Sequence, residues 1–360
     1  MKAAVLHEVK TPLAIEDVAI TTPGPREILI RTAAVGVCRS DLHFIDGVYP
    51  YPLPTIPGHE AAGVVEAVGS EVRRIKVGDH VVTCLSAFCG ACEHCVTGHL
   101  SLCTDPSVQR GPDAAPKLTL GGKPVNQFLN LSAFAEMMLV HENAAVTIDR
   151  DMPLTQAALI GCAVTTGAGA VFNDCRIRPG ESVAVIGCGG IGLAAINAAR
   201  IAGAGRIIAI DPLESKRSLA MKLGATDAFD PGMDKAHQAI VEATGGGVHH
   251  AIEAVGRPAS AELAWNILRR GGQAVIVGMI PPGQNVSIHG PTFLQGKGIK
   301  GSLMGSNRFP VDLPRLVDFY LKGQLDLDSI IAERTDLNGI NDAVDKLRQG
   351  DAVRSVVVFG

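Results

Sequence analysis

The segment VAVIGCGGIG, residues 183–192, decides the fold of the middle of the chain. Its apolar run ends in closely spaced glycines, which is typical of a buried strand that turns directly into a helix. Gly187, Gly189 and Gly192 form the pattern G-x-G-x-x-G. These glycines permit a tight turn, close approach of backbone to a pyrophosphate, and close packing of helix on strand. The segment therefore predicts a dinucleotide site at a helix N-terminus; a glycine-rich turn without a ligand is the alternative.

The next apolar run, RIIAID, ends in Asp211. A carboxylate at the end of the second strand can accept hydrogen bonds from both hydroxyls of an adenosine ribose and would repel a 2′-phosphate. We therefore expect NAD rather than NADP.

The pattern of predicted secondary structure changes near the glycine loop. From there onwards, apolar strands alternate with amphipathic helices and predict a doubly wound parallel sheet of the Rossmann type. Residues 1–160 show short β-rich runs between Gly/Pro turns, which predict a mostly antiparallel β domain. We place one domain at 1–163 with 304–360 and the other at 164–303. The uncharged stretch 182–199 has the length of a short membrane span, but its central glycines favour a buried strand and helix.

The charge balance argues against polyanionic partners. The 360 residues include 32 basic and 36 acidic side chains, for a formal net charge of −4, and only 4% are aromatic. This composition speaks against a nucleic-acid groove and against an anionic membrane surface. The N-terminus lacks the apolar core of a signal peptide. We expect a cytoplasmic protein without nucleic-acid or membrane partners.

Four of the nine cysteines lie in the segment CGACEHCVTGHLSLC, as Cys89, Cys92, Cys95 and Cys103. Disulfides are rare in the cytoplasm, where clustered thiols more often hold a metal. Ferredoxin loops share the C-x2-C-x2-C spacing but continue with x3-C-P, which this segment does not. A thioredoxin-like motif needs two cysteines rather than four. The spacing favours a closed tetrahedral zinc site, which stabilises a loop and leaves no coordination position on the metal for a substrate.

Three further residues are candidate ligands for a site that does chemistry. Cys38 lies in GVCRSDLHFIDG, His59 in PTIPGHEAAG and Cys162 in LIGCAVTTGAGA. Each alone is more often a buried thiol or a hydrogen-bonded core histidine. Together, two cysteines and one histidine form a zinc ligand set that is neutral overall and has one open position.

Six segments together resemble the zinc-dependent medium-chain alcohol dehydrogenases, nearly from end to end. They are CRSDLH, GHEAAGVVEAVGSEV, the four-cysteine segment, GCAVTTGAGA, GCGGIG and VRSVVVF. The resemblance implies a GroES-like catalytic domain together with the Rossmann coenzyme domain, two zinc ions per chain, and NAD. It also implies that Cys38, His59 and Cys162 hold the catalytic zinc and that the four-cysteine segment holds the structural zinc.

The resemblance implies roles for residues around the catalytic zinc. Asp41 would accept the distal N–H of His59 and fix its tautomer, and Glu60 would assist ligand exchange. Ser40 would bind the alcohol hydroxyl and pass its proton, through the nicotinamide-ribose hydroxyl, to His43. An ordinary turn serine is the alternative for Ser40.

The resemblance also places residues on the coenzyme. At the pyrophosphate, the matching positions are Gly190 and the three motif glycines, with Arg39 and Arg354 binding its charge. Asp211 and Lys216 match the positions at the adenosine ribose. Thr166 and Ile191 match those at the nicotinamide. For the cations, a solvated surface charge is the alternative.

The positions that match the family's substrate pocket are Tyr49, Leu85, Phe128, Leu129 and Met279. They favour a medium-sized hydrophobic or aromatic alcohol or aldehyde, and the class EC 1.1.1.-, most closely 1.1.1.1. A glutathione-dependent formaldehyde dehydrogenase or a polyol dehydrogenase is the alternative within the fold. A non-catalytic protein that binds zinc and NAD is a more remote one.

The long segment between Cys103 and Phe128 matches the dimeric branch of the family. We therefore expect a homodimer joined through the coenzyme domains around FLQGKGIKGSLMG. Cys84, Cys175 and Cys188 have no assigned function beyond buried packing.

Overall fold

The computed structural model describes residues 1–109, 114–350 and 353–360. The chain divides into two compact units. The β unit consists of Met1–Ala163, Arg308–Gly323 and Ile330–Gly360, and the α/β unit consists of Val164–Asn307 and Gln324–Ser329.

The strands of the described residues are, in chain order, β1 Lys2–Val5, β2 Ala14–Asp17, β3 Ala19–Ile20, β4 Glu27–Gly36, β5 Thr55–Ile56, β6 Glu60–Val68, β7 His80–Thr83, β8 Leu118–Leu120, β9 Lys123–Gln127, β10 Met137–His141, β11 Ala145–Thr147, β12 Ser182–Ile186, β13 Arg206–Ile210, β14 Asp227–Phe229, β15 Val248–Glu253, β16 Leu268–Ile276, β17 Gly298–Gly301, β18 Glu333–Thr335 and β19 Ser355–Val358.

The α-helices of the same residues are α1 Arg39–Ile45, α2 Glu93–Val96, α3 Leu154–Leu159, α4 Thr165–Gly169, α5 Gly190–Ile201, α6 Glu214–Leu223, α7 Ala236–Ala243, α8 Pro258–Asn266, α9 Phe309–Leu321 and α10 Ile340–Gln349. Short 3-10 segments lie at Leu100–Leu102, Phe128–Asn130, Glu142–Ala144, Gly290–Gln295, Met304–Ser306, Asp328–Ile330 and Leu337–Gly339, and π-helical turns at Ile160–Val164 and Ala170–Cys175.

The β unit is built around a sheet with the order β11-β7-β6-β4-β19-β18, to which β10 adds by pairing with β4. The pairs that β4 makes with β6, β10 and β19 are antiparallel. Buried positions alternate along the first half of β4, as expected when one face of a strand covers a core. Two smaller sheets have the orders β1-β2 and β3-β8-β9-β5.

The α/β unit contains a six-stranded sheet with the order β14-β13-β12-β15-β16-β17, and its paired strands are all parallel. The chain moves outward from β12 in one direction and then resumes at β15 on the other side. In such sheets, ligands bind at the carboxyl ends of the strands where the order reverses. The predicted parallel sheet of the Rossmann type and the predicted mostly antiparallel β domain are confirmed.

Two apolar stretches pack inside the protein. The uncharged stretch 182–199 forms β12 and most of α5, and nearly all of α5 is buried, as predicted. Among the described residues, one helical segment, Leu154–Cys175, has the length and hydropathy of a membrane-spanning helix. Because 89% of its most apolar window is buried, it equally fits the core helix of a folded domain.

Candidate metal and coenzyme sites

Cys38, His59 and Cys162 lie together in the β unit, and their ligand atoms fall within 4.8 Å of one another. The Nε2 atom of His59 lies 3.2 Å from the Sγ atom of Cys162, which lies 4.0 Å from the Sγ atom of Cys38. Tetrahedral zinc, with bonds of about 2.0–2.3 Å, separates its ligand atoms by roughly 3.3–3.8 Å. Among the described residues no fourth ligand joins this group, so the set fits zinc with one open position.

A different element delivers each ligand. Cys38 caps the N-terminus of α1, His59 directly precedes β6, and Cys162 lies in the π-helical turn Ile160–Val164. Single π-helical turns occur frequently at functional sites. A Cβ atom on Gly161 would lie 2.4 Å from the carbonyl oxygen of Thr83. The turn that carries Cys162 therefore packs directly on β7.

The carboxylate of Asp41 holds the histidine ligand in place. Its Oδ1 atom lies 2.9 Å from Nδ1 of His59 and accepts the backbone N–H of Gly58 at 3.1 Å, while Oδ2 accepts that of Cys38 at 3.0 Å. A carboxylate at Nδ1 leaves Nε2 as the donor for a metal. Burial disfavours a charged imidazole, but Asp41 and Cys38 outweigh it and raise the pKa of His59 well above its ordinary value; a bound zinc ion would displace that proton and leave a neutral ligand.

Glu60 and Arg354 form a buried pair beside the ligands. The Nη1 atom of Arg354 lies 3.5 Å from Oε2 of Glu60 and donates to the carbonyl of Val37 at 2.9 Å. Within the described part of the chain, both carboxylate oxygens of Glu60 are buried without a hydrogen-bond partner. Burial raises the pKa of Glu60 to about 8, although Arg354 opposes the shift. A buried acidic group whose hydrogen bonds are unmade fits a site where a metal cation is bound nearby.

The predicted relay residues lie on α1, the helix that Cys38 caps. The Oγ atom of Ser40 lies 3.8 Å from the Sγ atom of Cys38, and His43 follows three positions later on the same helix face. Burial and then the charge of Arg39 lower the pKa of His43, so its ring is neutral at pH 7. Arg39 is exposed and donates to the carbonyl of Leu347 at 3.2 Å.

Aromatic rings pack against the histidine ligand. The ring centroid of Phe128 lies 6.2 Å from that of His59, 5.0 Å from that of Phe44 and 4.9 Å from that of Tyr51, edge to face in each case. Phe128 is fully buried, so it backs the His59 ring. Phe44 and Tyr51 were not predicted, and the aromatic-rich stretch after Cys38 was the only signal for them.

Four other side chains were predicted to line the substrate pocket. Tyr49, Leu85 and Leu129 are partly exposed in the β unit, and the ring centroids of Tyr49 and His43 lie 5.9 Å apart. Met279 belongs to the α/β unit, where its backbone lies close to Gly256.

Cys89, Cys92, Cys95 and Cys103 form a second thiol cluster. Sγ–Sγ distances of 3.5, 3.8 and 3.9 Å join Cys92 to Cys95, Cys89 to Cys95, and Cys92 to Cys103. Zinc with Zn–S bonds of about 2.3 Å separates its four thiolates by about 3.8 Å. All four thiols are free, and burial raises the pKa of Cys95 to about 12. The cluster therefore fits zinc, whose charge would stabilise the thiolates.

The glycine loop lies at the carboxyl end of β12, and α5 begins at Gly190. Gly187 has a φ of +91°, and a Cβ atom on Gly192 would lie 1.8 Å from the carbonyl oxygen of Gly187, so neither position accepts a side chain. A cavity of about 680 Å³, lined by Gly187, Pro212 and Val255 among others, lies at these strand ends. This is the place where doubly wound sheets bind ligands.

Asp211 is buried directly after β13. Its carboxylate accepts the backbone N–H groups of Cys188 at 2.8 Å and of Leu213 at 2.9 Å. Asp211 therefore ties the glycine loop to the next strand, while its oxygens keep further lone pairs for ribose hydroxyls. The other residues of this unit predicted to contact the coenzyme are Lys216 on α6, Thr166 on α4 and Ile191 on α5.

Both units match known proteins. A family model described as alcohol dehydrogenase GroES-like domain matches residues 24–150, and one described as zinc-binding dehydrogenase matches residues 190–322. An alcohol dehydrogenase zinc-binding domain protein from Burkholderia ambifaria is 36% identical, with a TM-score of 0.96 over 100% of this chain and 98% of the other. Benzyl alcohol dehydrogenase from Acinetobacter calcoaceticus is 32% identical, with a TM-score of 0.95 over 100% and 99%. A structure described as a zinc-binding dehydrogenase from Sinorhizobium meliloti 1021 bound to NADP is 28% identical, with a TM-score of 0.83 over 99% of both chains.

Proposed function

The chain belongs to the zinc-dependent medium-chain alcohol dehydrogenase family, and from this premise we propose that it transfers hydride reversibly between a medium-sized hydrophobic or aromatic alcohol and NAD. The products of oxidation are the aldehyde or ketone, NADH and a proton. The observation that carries the proposal is the buried set of Cys38, His59 and Cys162. A structural zinc site has four protein ligands, whereas a catalytic one keeps a position for substrate.

Each residue of the site has a defined task in this reaction. When bound, zinc supplies Lewis acidity that makes the hydroxyl proton of an alcohol far easier to remove. Cys38, His59 and Cys162 would hold the ion as a neutral set. Ser40 would hydrogen-bond the alcohol hydroxyl, and the neutral ring of His43 would receive the proton. Thr166 and Ile191 would hold the nicotinamide of NAD, which would accept the hydride from the alcohol carbon.

The choice of NAD is supported by Asp211. Its carboxylate lies at the end of β13, the position that meets an adenosine ribose in this fold. A 2′-phosphate there would face a negative charge. We expect wild type to prefer NAD, and Asp211→Gly to shift the ratio of kcat/KM values towards NADP by at least about tenfold, because one hydrogen bond to a charged group is worth roughly 1.5–3 kcal/mol. A wild type that prefers NADP would refute this role.

The substrate class is supported by the apolar character of Tyr49, Leu85 and Leu129 and by the similarity to a benzyl alcohol dehydrogenase. The test is a panel of benzyl alcohol, a long-chain alcohol, sorbitol and hydroxymethylglutathione, followed by NADH absorbance with and without a chelator. We expect benzyl or long-chain alcohol to be preferred and the chelator to abolish turnover. A preference for either of the other two substrates, or turnover that resists the chelator, would contradict the proposal.

We also propose that the chain forms a homodimer through the α/β unit. Strand β17 lies at the edge of the parallel sheet, and nearby Leu294 and Phe293 are 93% and 50% exposed. An edge strand beside exposed apolar side chains is typical of an interface. Light scattering should give the mass of two chains for wild type and of one chain for Leu294→Lys; a monomeric wild type would contradict the proposed dimer.

The cytoplasmic location stays a prediction, as does the lack of nucleic-acid and membrane partners.

A further inference from the structure

The backbone after Phe128 adopts an unfavourable conformation. Leu129, Asn130 and Ser132 have φ values of 47°, 61° and 58°. This left-handed region is disfavoured for residues that carry a Cβ atom, and leucine there is rarer than asparagine. Such conformations persist only where surrounding contacts impose them, and they cluster at functional sites. Contacts with the rest of the fold therefore hold Leu129 in this conformation.

The hydroxyl of Tyr51 supplies the contact at Leu129. It accepts the backbone N–H of Leu129 at 3.0 Å and donates to the carbonyl of Gln127 at 2.9 Å. Burial raises the pKa of Tyr51, although the Leu129 N–H opposes the shift, so the hydroxyl keeps the proton that it donates. One hydroxyl thus bridges the residues on both sides of Phe128.

Two further hydrogen bonds close the loop. The Oγ atom of Ser132 accepts the backbone N–H of Phe128 at 2.8 Å, and the Nδ2 atom of Asn130 donates to Oε1 of Gln109 at 2.7 Å. Gln109 in turn donates to the carbonyl of Ala87 at 2.7 Å. The loop is therefore fixed at its centre and its far end, and Tyr51 fixes its start.

The fixed loop carries two groups that matter for the reaction. Phe128 is fully buried with its ring edge-on to the ring of His59. Leu129 follows it, partly exposed, at a position that matches the family's substrate pocket. Tyr51 also touches Phe128 through its own ring, at a centroid distance of 4.9 Å. Loss of the hydroxyl alone would leave this ring packing in place and release the backbone N–H of Leu129 and the carbonyl of Gln127.

We propose that Tyr51 is a positioning residue whose hydroxyl fixes the Leu129 wall of the substrate site and thereby sets selectivity for rigid aromatic alcohols over flexible aliphatic ones. The inference rests on the proposed function. A planar ring cannot adapt to a displaced wall, whereas a straight chain can change its torsions to follow it. Relaxation of Leu129 therefore costs the aromatic substrate more than the aliphatic one.

The test is Tyr51→Phe, which removes one oxygen atom. We expect kcat/KM for benzyl alcohol to fall about fivefold, the equivalent of the roughly 1 kcal/mol net contribution of the hydrogen bond that holds the Leu129 N–H. The loss should lie in KM rather than kcat, while kcat/KM for butan-1-ol changes less than twofold. The KM for NAD and the zinc content should be unchanged. Tyr320→Phe on α9 makes the same chemical change elsewhere and is the matched control. An unchanged ratio of the two alcohols, or an equal loss with both, would overturn the proposal.

Two additional measurements test the contact between Tyr51 and Leu129 separately from the proposed function. Glycine adopts left-handed conformations freely, so Tyr51→Phe should have a smaller effect on selectivity in a Leu129→Gly background. Amide hydrogen exchange at Leu129 should be faster in Tyr51→Phe than in wild type, and this readout does not depend on turnover. Unchanged exchange would contradict the proposal that the Tyr51 hydroxyl fixes Leu129. A wild type that oxidises no alcohol would instead refute the proposed function.

Discussion

The two thiol centres of the β unit use the same chemistry in opposite settings. The ligands of the four-cysteine centre lie within Cys89–Cys103, and two of them are partly exposed. Cys38 and Cys162 of the other centre lie 124 residues apart in the chain, and both are buried. A local loop makes the first centre, and the fold of the whole unit makes the second. Damage to the first should therefore cost stability, and damage to the second should cost activity.

The charges of the two centres differ as well. Four thiolates give a zinc centre a net charge of −2, whereas two thiolates and a neutral imidazole give a neutral centre. Cys89 of the charged centre lines a cavity of about 550 Å³ whose charged residues are three arginines, Arg26, Arg73 and Arg74, and two glutamates, Glu71 and Glu142, so the excess charge there is positive. The neutral centre is buried, where an uncompensated charge would be costly. A closed, charged site thus suits scaffolding, and an open, neutral one suits catalysis.

The largest expected effect is that of Cys38→Ser. Loss of a group that only orients a ligand costs about 10–100-fold, so loss of a ligand should lower kcat/KM by more than about 100-fold. Zinc content should fall from two ions to one per chain, with an unchanged circular dichroism spectrum. Cys175→Ser, which removes a buried thiol outside both centres, is the control. Two retained zinc ions, or near-normal turnover, would remove the distinction between the centres.

Cys103→Ser should show the opposite behaviour. A structural zinc contributes folding free energy directly, and each kcal/mol lost lowers Tm by roughly 2–4 °C in a domain of this size. We therefore expect a fall in Tm of at least about 5 °C by calorimetry. Activity at low temperature should stay within about twofold of wild type, because the centres share no ligand. A collapse of activity without a change in Tm would reverse the assignment.

Asp41→Asn sharpens the comparison within the catalytic centre. The amide has one oxygen acceptor in place of the carboxylate that serves His59, Gly58 and Cys38. Zinc affinity at this centre should fall about 10–100-fold, measured as faster inactivation by a chelator. Asp46→Asn at the other end of α1 is the control. Equal chelator sensitivity in wild type and Asp41→Asn would show that the carboxylate does not support the ligand.

The smallest effect is expected in the pH profile. Neutral His43 can accept a proton and protonated His43 cannot, so kcat/KM for alcohol oxidation should decline as the pH falls through its pKa. Burial and Arg39 lower that pKa, which places the decline below about pH 6.5. His43→Gln should remove this decline. A profile that is identical in the two proteins would exclude His43 from the relay.

The sequence was most informative where function depends on neighbours in the chain. The glycine loop at Gly187–Gly192 and the four-cysteine segment are local patterns, so spacing alone indicated a dinucleotide loop and a closed metal site. The Cys38, His59 and Cys162 set could not be assembled from spacing, because three separate elements bring it together. The residue types suggested it, the family resemblance pointed to it, and that family is confirmed.

Other features of the site had no signal in the sequence. Nothing local marks Leu129 as left-handed, because leucine rarely adopts that conformation and its N–H is bound by the hydroxyl of Tyr51, 78 residues away in the chain. The burial of Glu60 with Arg354 depends on β19 lying beside β4, a pairing between distant parts of the chain. The hydrogen bond that Asp211 accepts from Cys188 in the glycine loop was likewise not evident from its predicted contact with ribose.

The most direct test of the central claim is spectroscopy of the protein with Co²⁺ in place of zinc at the chelator-sensitive centre. An open Cys2His site binds an added ligand such as pyrazole or azide, whereas a closed tetrathiolate site does not. We predict that the added ligand shifts the visible Co²⁺ bands of the wild-type protein, and that Cys38→Ser abolishes both the bands and the shift. Bands that do not respond to the ligand, or that persist in Cys38→Ser, would contradict the account.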